Sequence, residues 1–536
     1  MRPTRRFNPV LYLFLLSLFI LWLVSCQRPD PQVVVVATQV PLAIPPTLAP
    51  ATPSANGGEG AAGDAAALIS PPTPAPATPT QVVLRVYIGT PTPDAPRNGS
   101  ANTGGAAFTH TVGFGENLGL IAQTYGLTVE QITQANGIGV NDFLYVGQAL
   151  LIPGSGSVSG LVSPSFKIIP DSELVYGPAA EGFHVADVAA AYRGYLVNYT
   201  ENIEGQVITG PEVVALVAHR FSINPRLLLA LLDYRAGWLT QPNPTETTYP
   251  LRYYTPGTEG LYKQLGWAAN ELNLGFYGRA EGGRYSFTLA DGTQLAFAPD
   301  INDGTAALQQ YLGASGSSYA TWQQEVGPEG FFRTFDQLFG NPFAYTFEPI
   351  LPSGLTQPPL RFPWPLGETW YYTGGPHGGW ASGSAWAALD FAPPGEQLGC
   401  YQDENWITAV ADGVVTRSGF GAVVVDLDGD GYAGTGWAIT YMHLETRDRV
   451  AVGTIVKAGD KLGHASCEGG FSTATHLHIS RTYNGRWIAA DGAIAFNMGG
   501  WVSQGQGVEY FGLFFRGDAV KEACECREEG NALLGE

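Results

Sequence analysis

Charged residues are scarce in this 536-residue chain, and basic residues are the scarcest. Lys and Arg number 27 against 47 Asp and Glu, which gives a formal net charge of −20. A nucleic-acid-binding protein needs a basic surface that contacts phosphates, so this balance argues against a nucleic-acid partner. Hydrophobic residues make up 45% of the chain and charged residues 14%, a composition that excludes wholesale disorder. At ~150 residues per domain, the length allows about three domains.

Cysteine is also rare, and the first of the five cysteines lies at the end of an export signal. Basic M-R-P-T-R-R is followed by an apolar segment from Leu11 to Val24 and then by Cys26. The apolar run is shorter than the ~20 residues of a membrane-spanning helix. The tetrapeptide L-V-S-C resembles the lipobox of bacterial lipoproteins. This resemblance implies a signal peptide at 1–26, a lipid on Cys26 and an extracytoplasmic protein anchored to the cell membrane. A simple membrane anchor or an ordinary secretory signal is the alternative.

Residues 27–106 are rich in Pro, Ala, Thr and Gly, as in P-P-T-P-A-P-A-T-P-T. A segment of this composition cannot bury enough apolar surface to offset the entropy that ordering would cost. We therefore predict a disordered tether that extends the reach of the domains after it.

Residues 107–154 form a compact module with two helical apolar patterns flanked by short β-prone pieces. The sequence from F-T-H-T-V-G-F-G-E-N-L to D-F-L-Y-V-G-Q-A-L-L-I-P resembles a complete lysin motif (LysM). The family implies a βααβ fold that binds N-acetylglucosamine-containing glycans such as peptidoglycan or chitin. Its binding loops correspond here to Gly115, Glu116, Asn117, Leu118, Asn136, Gly137 and Ile138. These residues also suit helix caps and turns, so a structural role is the alternative.

Residues 155–352 are predicted to be mainly helical, with Asn224 as an N-cap, Pro225 at the first helical position and a hairpin turn at Asp291-Gly292. The helical part distantly resembles lysozyme-like transglycosylases, which carry a catalytic Glu-Ser where this chain has Arg235 and Ala236. Arginine cannot protonate a leaving oxygen, so we expect a glycan-binding or spacer domain. A second hydrolase centre that uses Asp233 is the alternative.

Five of the eight histidines fall between Trp370 and Ser480. His377 precedes Asp390 by thirteen residues, His443 lies in Y-M-H-L, and T-H-L-H holds His476 and His478. In an extended strand, side chains at i and i+2 emerge on one face, so the last two imidazoles can face a common groove. A catalytic zinc needs three protein ligands and one open position, which this set of side chains can supply.

The order H-x12-D, Y-x-H, H-x-H resembles the beta-lytic and staphylolytic metallopeptidases, relatives of lysostaphin that cut glycyl bonds in peptidoglycan cross-links. By this resemblance His377, Asp390 and His478 are the zinc ligands, and His443 and His476 are the catalytic histidines. In the lysostaphin branch the first ligand lies four residues before the aspartate, where this chain has Trp386. The beta-lytic form, with G-G-P-H and then L-D-F, is intact here, and we favour it.

The carboxy-terminal part, 353–536, has short β-branched strands separated by Gly and Asp, which predicts an antiparallel β domain. The beta-lytic resemblance implies the same fold and a disulfide between Cys400 and Cys467. Cys524 and Cys526 pair with each other or with an outside partner. The sequence D-L-D-G-D-G resembles the start of a calcium loop, with Asp426, Asp428 and Asp430 as ligands. Trp437 occupies the twelfth position, which excludes an EF-hand and leaves a smaller calcium turn or a solvated hairpin tip.

Together these patterns predict a multidomain α+β chain with a βααβ lysin motif, a mostly helical lysozyme-like middle domain and an antiparallel β peptidase domain. The predicted function is hydrolysis of peptidoglycan by a zinc endopeptidase that the lysin motif targets to the wall. The predicted cofactor is Zn²⁺, with Ca²⁺ as an additional candidate, and the partners are peptidoglycan and, through a lipid, the membrane. The alternatives are a non-catalytic wall-binding lipoprotein whose degenerate peptidase domain regulates another hydrolase, and a purely adhesive or chitin-directed binder.

Overall fold

The computed structural model describes residues 108–112, 118, 121, 129–139, 144, 148–152, 161–281, 284–316 and 318–536. The predicted lipidation site at Cys26 and the predicted tether at 27–106 lie outside these residues. Within the described ranges, no helix combines the length and the apolar character needed to cross a bilayer.

The amino-terminal module pairs strand β1 (Phe108–Thr111) with strand β2 (Ala149–Ile152) in antiparallel register. Helix α1 (Val129–Asn136) lies between them in the sequence. A small apolar cluster joins these elements, and its buried members are Val112, Leu118, Ile121, Ile132, Leu150 and Ile152. Leu118 and Ile121 are both helical and belong to the first predicted helix, whose other residues are not described. The described part thus agrees with the predicted βααβ order.

The middle region is mainly helical. Its helices are α2 (Val185–Tyr192), α3 (Gly210–Phe221), α4 (Pro225–Ala236), α5 (Leu261–Ala280), α6 (Asp303–Ala314), α7 (Tyr319–Glu325) and α8 (Phe331–Phe339). Its short strands are β3 (Leu161–Val162), β4 (Thr200–Ile203), β5 (Gln206–Thr209), β6 (Ser286–Thr288) and β7 (Gln294–Ala296). Strands β4 and β5 form one hairpin, β6 and β7 form another, and β3 runs parallel to β7.

Local sequence signals in this region are confirmed. The side chain of Asn224 accepts a hydrogen bond from the backbone N–H of Arg226 at 3.0 Å, and α4 begins at Pro225. Gly292 has φ +87° in the turn between β6 and β7, a conformation that favours glycine. Capping and turn chemistry therefore define these elements as the sequence predicts.

The carboxyl end of α4, where a lysozyme-like domain would carry its acid, has structural contacts. Arg235 is buried and pairs with Glu325. Asp233 accepts hydrogen bonds from the backbone N–H groups of Leu239 at 3.1 Å and Thr240 at 2.9 Å. The carboxylate of Asp233 therefore secures the turn that ends the helix.

The carboxy-terminal region contains a nine-stranded sheet in the order β14-β11-β12-β13-β16-β9-β8-β22, with β17 paired to β16. Its strands are antiparallel: β8 (Thr369–His377), β9 (Ala388–Ala392), β11 (Gly413–Gly419), β12 (Ala422–Asp426), β13 (Trp437–Met442), β14 (Ile455–Val456), β16 (Leu477–Tyr483), β17 (Arg486–Trp487) and β22 (Ala532–Leu534). Two further strands, β10 (Trp406–Thr408) and β15 (Lys461–His464), pair with each other. A four-stranded sheet contains β18 (Asn497–Met498), β19 (Trp501–Gly505), β20 (Gly512–Arg516) and β21 (Ala519–Glu522). The predicted antiparallel fold is confirmed.

The two faces of the large sheet have different environments because side chains alternate along each strand. One face holds the core of the β domain, with Leu389, Ile439 and Ile479 fully buried. The opposite face carries Asp390 and His478 and is partly covered by the helical region. The helical core includes residues of the β domain, namely Trp380, Ala385, Ala387, Ala422, Met442 and Trp487.

Hydrogen bonds reinforce this shared core at the end of α3. The indole N–H of Trp487 donates to the carbonyl of Phe221 at 3.2 Å, and the hydroxyl of Ser222 donates to the carbonyl of Gly485 at 2.5 Å. These groups are buried, where a missing partner would cost about 1–3 kcal/mol. The helical and β regions therefore form one packed body.

Candidate metal centre

Three neighbouring strands bring three candidate ligands together. His377 ends β8, Asp390 lies at the middle of β9, and His478 lies directly opposite Asp390 on β16. Nε2 of His377 is 3.0 Å from Nδ1 of His478, and each of these atoms is 3.2 Å from Oδ1 of Asp390. Gly374 lies beside Asp390, where a Cβ would be 2.7 Å from the carboxylate, so the strand needs glycine at this position.

The Oδ1 atom of Asp390 is the centre of this group. It is buried and has no hydrogen-bond partner among the described residues, although two imidazole nitrogens face it. A buried carboxylate oxygen without a donor is costly, and a cation held between the three groups would remove that cost. Two imidazoles and one carboxylate are also a ligand set that zinc prefers. The three residues therefore fit a divalent metal ion.

Backbone carbonyls orient both candidate imidazole ligands. Nδ1 of His377 is 2.8 Å from the carbonyl of Gly375, and Nε2 of His478 is 3.1 Å from the carbonyl of Gly379. A carbonyl accepts only, so we infer that each of these nitrogens carries the proton. The other nitrogen of each ring then has its lone pair facing Asp390, as a metal ligand requires.

The two candidate catalytic histidines face the same centre and are held in the same way. Nδ1 of His443 is 2.9 Å from the carbonyl of Glu468, and Nδ1 of His476 is 2.8 Å from the carbonyl of Ala474. The two rings lie 4.5 Å apart, and Nε2 of His476 is 3.7 Å from Oδ1 of Asp390. His443 has φ +62°, a conformation that is strained for a residue with a side chain and is often found at functional sites.

The electrostatics of the centre favour a charged aspartate beside a neutral imidazole. Burial alone would raise the pKa of Asp390, but the neighbouring His377 and His476 lower it well below its usual range. Burial, together with the nearby His476 and His478, lowers the pKa of His443 to about 3. At neutral pH His443 is therefore uncharged.

Family models match three parts of the chain: the LasA N-terminal domain at 167–351, the LysM domain at 110–153 and peptidase family M23 at 393–490. The beta-lytic metalloendopeptidase of Lysobacter enzymogenes is 34% identical over 151 residues, which are 26% of this chain and 76% of that protein. This chain belongs to peptidase family M23. The family is zinc-dependent, and this member is a LysM-containing metallopeptidase.

One further relative and one solved structure are also similar to this chain. Protease LasA of Pseudomonas aeruginosa is 26% identical over 384 residues, which are 66% of this chain and 86% of that protein. The solved structure of the M23 metalloprotease pseudoalterin is 25% identical and covers 31% of this chain and 95% of its own. The TM-score of this comparison is 0.27.

The position of Trp386 bears on whether the M23 centre is complete. Trp386 lies four residues before Asp390, where the lysostaphin branch has its first ligand. It is half-buried, and its carbonyl accepts a hydrogen bond from the N–H of Ala490 at 2.7 Å. His377, thirteen residues before Asp390, instead supplies a nitrogen to the centre. The structure thus brings together the set that the beta-lytic pattern predicts.

Tyr510 also contacts the M23 centre, and the sequence did not identify it. Its ring stacks on His377 with centroids 4.2 Å apart, and its backbone carbonyl accepts from the N–H of Gly375 at 2.8 Å. Burial and the charge of Asp390 raise the pKa of its hydroxyl to about 12, so the group stays protonated. The glycine-bounded segment G-Q-G-V-E-Y-F-G signals a loop, but nothing in it points to a histidine far earlier in the chain.

Two further predictions in the β domain concern His464 and the acidic loop. His464, which matched no ligand position, packs against Trp406 at 4.0 Å, away from the centre. Asp426, Asp428 and Asp430 lie close enough to share one ion. Their oxygens also accept backbone N–H groups, such as that of Gly431 at 3.0 Å from Asp426 and that of Tyr432 at 2.8 Å from Asp430. Calcium binding stays a prediction.

The predicted glycan-binding residues divide into three groups. Gly115, Glu116 and Asn117 lie outside the described residues. Leu118 is buried in the core of the module. Asn136 uses its amide to join α1 to β2, because Nδ2 donates to the carbonyl of Leu151 and Oδ1 accepts from its N–H, both at 2.6 Å. Gly137 follows with φ +64° and ends the helix, next to Ile138. Glycan contacts stay a prediction.

The Cys400–Cys467 disulfide predicted from the resemblance is present. It links the loop after β9 to the loop before β16, and these loops also share a hydrogen bond from the N–H of Thr475 to the carbonyl of Gly399 at 3.0 Å. The second loop carries His476, so the bridge stabilises one edge of the centre. Cys524 and Cys526 are bonded to each other, the first of the two predicted alternatives.

We expect replacement of both Cys400 and Cys467 by serine to lower the free energy of unfolding by about 2–4 kcal/mol, because the bridge closes a loop of 67 residues. Chemical denaturation of the oxidised protein and of the double variant measures this difference. The matched control is the Cys524→Ser/Cys526→Ser variant, whose short loop should contribute less. Equal losses in both variants would contradict a special role for the Cys400–Cys467 bridge.

Proposed function

We propose that this protein is a zinc-dependent endopeptidase that cleaves the cross-link peptides of bacterial peptidoglycan. Membership of M23 supports a metallopeptidase. Two relatives, Protease LasA and beta-lytic metalloendopeptidase, are named as proteolytic enzymes. The LysM domain supports a cell-wall substrate, since the family resemblance implies binding of N-acetylglucosamine-containing glycans.

One observation carries this proposal: the buried Oδ1 atom of Asp390, without a hydrogen-bond partner among the described residues, faces nitrogens of His377 and His478. These three residues would hold the zinc ion. Two further imidazoles, those of His443 and His476, lie beside this group with one nitrogen each bound to a carbonyl. The five side chains together supply a metal site and two groups that move protons.

The chemistry of hydrolysis follows from these positions. Zn²⁺ held by His377, Asp390 and His478 would supply a Lewis acid and would lower the pKa of a bound water to about 7. His443 is placed to accept a proton from the attacking water, because its Nδ1 faces the carbonyl of Glu468 and its Nε2 keeps a lone pair. His476, partly exposed beside it, is placed to stabilise the developing oxyanion or to protonate the leaving amine. Tyr510 adds a protonated hydroxyl near the same centre.

The experiment that tests this proposal separates zinc binding from catalysis. We expect His377→Ala, Asp390→Asn and His478→Ala to lose the bound zinc and all cleavage of hexaglycine. We expect His443→Ala and His476→Ala to keep one zinc ion and to lower kcat by about 10²–10⁴-fold, because they move protons without holding the metal. Metal analysis by mass spectrometry and a cleavage assay give the two measurements.

His464→Gln is the matched control, since His464 is a histidine of the same domain outside the centre. It should keep both zinc and activity. Zinc retention by His478→Ala, or full activity of His443→Ala, would disprove the assigned roles. A wild-type chain that binds zinc and hydrolyses neither hexaglycine nor isolated sacculi would instead favour the non-catalytic regulator.

We propose that the LysM domain targets the peptidase to the glycan strands of the wall. Deletion of 107–154 should lower the rate of hydrolysis of isolated sacculi by about tenfold or more, since linked binding raises the local concentration of substrate. Hydrolysis of soluble hexaglycine should not change. A chain that lacks tether residues 60–75 and keeps the module is the control. Equal losses on both substrates would show a folding defect and contradict targeting.

We propose that a lipid on Cys26 holds the protein on the outer side of the cell membrane. The basic residues, the apolar segment and L-V-S-C support this location. Cys26→Ser should move the protein from the membrane fraction to the soluble fraction when bacteria that express it are fractionated, because no thiol remains for the lipid. Ser25→Ala, which keeps a small residue before the cysteine, should stay with the membrane. Retention of Cys26→Ser in the membrane would instead show that the apolar segment is the anchor.

A further inference from the structure

A cationic cleft lies between the helical region and strand β11. We define it by Tyr176, His219 and Arg220 of the helical region and by Arg417 and Phe420 of the β domain. The rings of Tyr176 and His219 lie 4.6 Å apart, and the guanidinium of Arg220 lies 5.7 Å from the ring centroid of Phe420. Arg417 is close enough for its charge to lower the pKa of His219.

Arg417 is an unusual residue in this cleft. Its Nη2 atom is buried and has no hydrogen-bond partner among the described residues. Burial, followed by the positive charge of Arg220, lowers the pKa of its guanidinium to about 9, so it is still charged at neutral pH. A buried guanidinium N–H without an acceptor is destabilising, and the rest of the side chain is half-exposed, where an anion can pair with its charge.

Arg220, by contrast, has several partners, although its Nε atom is also buried without one among the described residues. It pairs with Glu204 at 2.7 Å, donates to the carbonyl of Phe420 at 3.3 Å and contacts the hydroxyl of Tyr262. Its guanidinium also lies over the ring of Trp380 at 4.7 Å. Glu204 is therefore bound to Arg220 and its charge also acts on Arg417, so the two arginines share one carboxylate.

The cleft is open to solvent at His219. This side chain is exposed, yet surrounding protein atoms, and then the charge of Arg417, lower its pKa to about 3. The imidazole of His219 is neutral at pH 7 and can donate a hydrogen bond to a bound anion.

Arg417 lies on the same face of the sheet as the metal ligands. In the register of the strands, His478 is opposite Met442, Met442 is opposite Ala422, and Ala422 is opposite Gly419. Arg417 is two residues from Gly419 on β11 and opposite Val424, on the side away from the β-domain core. Three inter-strand spacings separate β11 from β16, and Arg417 is two residues further along β11 than Gly419. Together these offsets place Arg417 about 16 Å from His478.

We propose that Arg417 forms a subsite for a carboxylate of the peptide substrate; this rests on the peptidase function proposed above. An extended peptide of about five residues spans the distance from the metal ligands to Arg417. Arginine suits this role because its planar guanidinium binds a carboxylate through two parallel hydrogen bonds. The tip of the β11–β12 hairpin lies between Arg417 and the metal ligands. Gly421 at this tip packs against Gly469. The neighbouring Glu468 accepts a hydrogen bond from His443 through its carbonyl.

Binding of two matched peptides tests the subsite. The full chain with His476→Ala and zinc is titrated by calorimetry with hexaglycine, which has a free carboxylate, and with hexaglycine amide, which has none. We expect the free acid to bind about tenfold more tightly than the amide. Adding Arg417→Gln should reduce this ratio to about one. Adding Arg516→Gln, an exposed arginine paired with Glu536, should leave the ratio unchanged.

Thermal unfolding separates ligand binding from a structural role. Without peptide, Arg417→Gln should have a Tm equal to or above that of the parent chain, because it removes a buried charge that lacks a partner. A lower Tm together with an unchanged binding ratio would overturn the proposal, as would equal binding of the acid and the amide to the parent chain. If the wild-type chain cleaves neither hexaglycine nor isolated sacculi, the peptidase proposal fails, and the binding ratio still decides whether Arg417 holds a carboxylate.

Discussion

The metal centre depends on one constraint: the carboxylate of Asp390 is buried among imidazoles with an oxygen that no described donor satisfies. Without a cation between the groups, this arrangement is unfavourable. The surrounding sheet nevertheless imposes it, because β8, β9 and β16 are hydrogen-bonded neighbours and His478 is directly opposite Asp390. The opposite faces of these strands are fully buried in the β-domain core, so the ligands cannot turn away without loss of that core.

The four imidazoles around this carboxylate are all oriented by backbone carbonyls. Each places one ring nitrogen within about 3 Å of a backbone carbonyl and directs the other toward the centre. Carbonyls within a sheet and its tight loops move little, so they define the tautomer and orientation of each ring before a metal binds. Preorganisation of this kind lowers the cost of metal binding and explains why His443 tolerates a left-handed backbone beside Glu468.

The sequence predicts the parts of this centre that depend on local periodicity or on a fixed order of residue types. The alternation T-H-L-H places His476 and His478 on one face of a strand, and the order of His377, Asp390 and His443 identifies the remaining groups. Tyr510 and Arg417 could not be found in this way. Their roles arise from contacts between distant segments, since Tyr510 stacks on His377 across two sheets and Arg417 faces an α-helical region. From the sequence alone, Arg417 in T-R-S near the end of a strand would be expected to face solvent.

The packing between the helical and β domains was also not predicted from the sequence, because no residue pattern indicates that the two predicted domains share a core. The structure instead inserts the end of α3 against the metal-site face, where Trp380, Met442 and Trp487 belong to the helical core. A β domain separated from the helical region would expose these large side chains and leave the carbonyl of Gly485 without Ser222. Each fully buried side chain of this size contributes about 1.5–3 kcal/mol. The helical region therefore defines the shape and charge of the surface beside the metal centre, and the cationic cleft at Arg417 exists because two domains share one core.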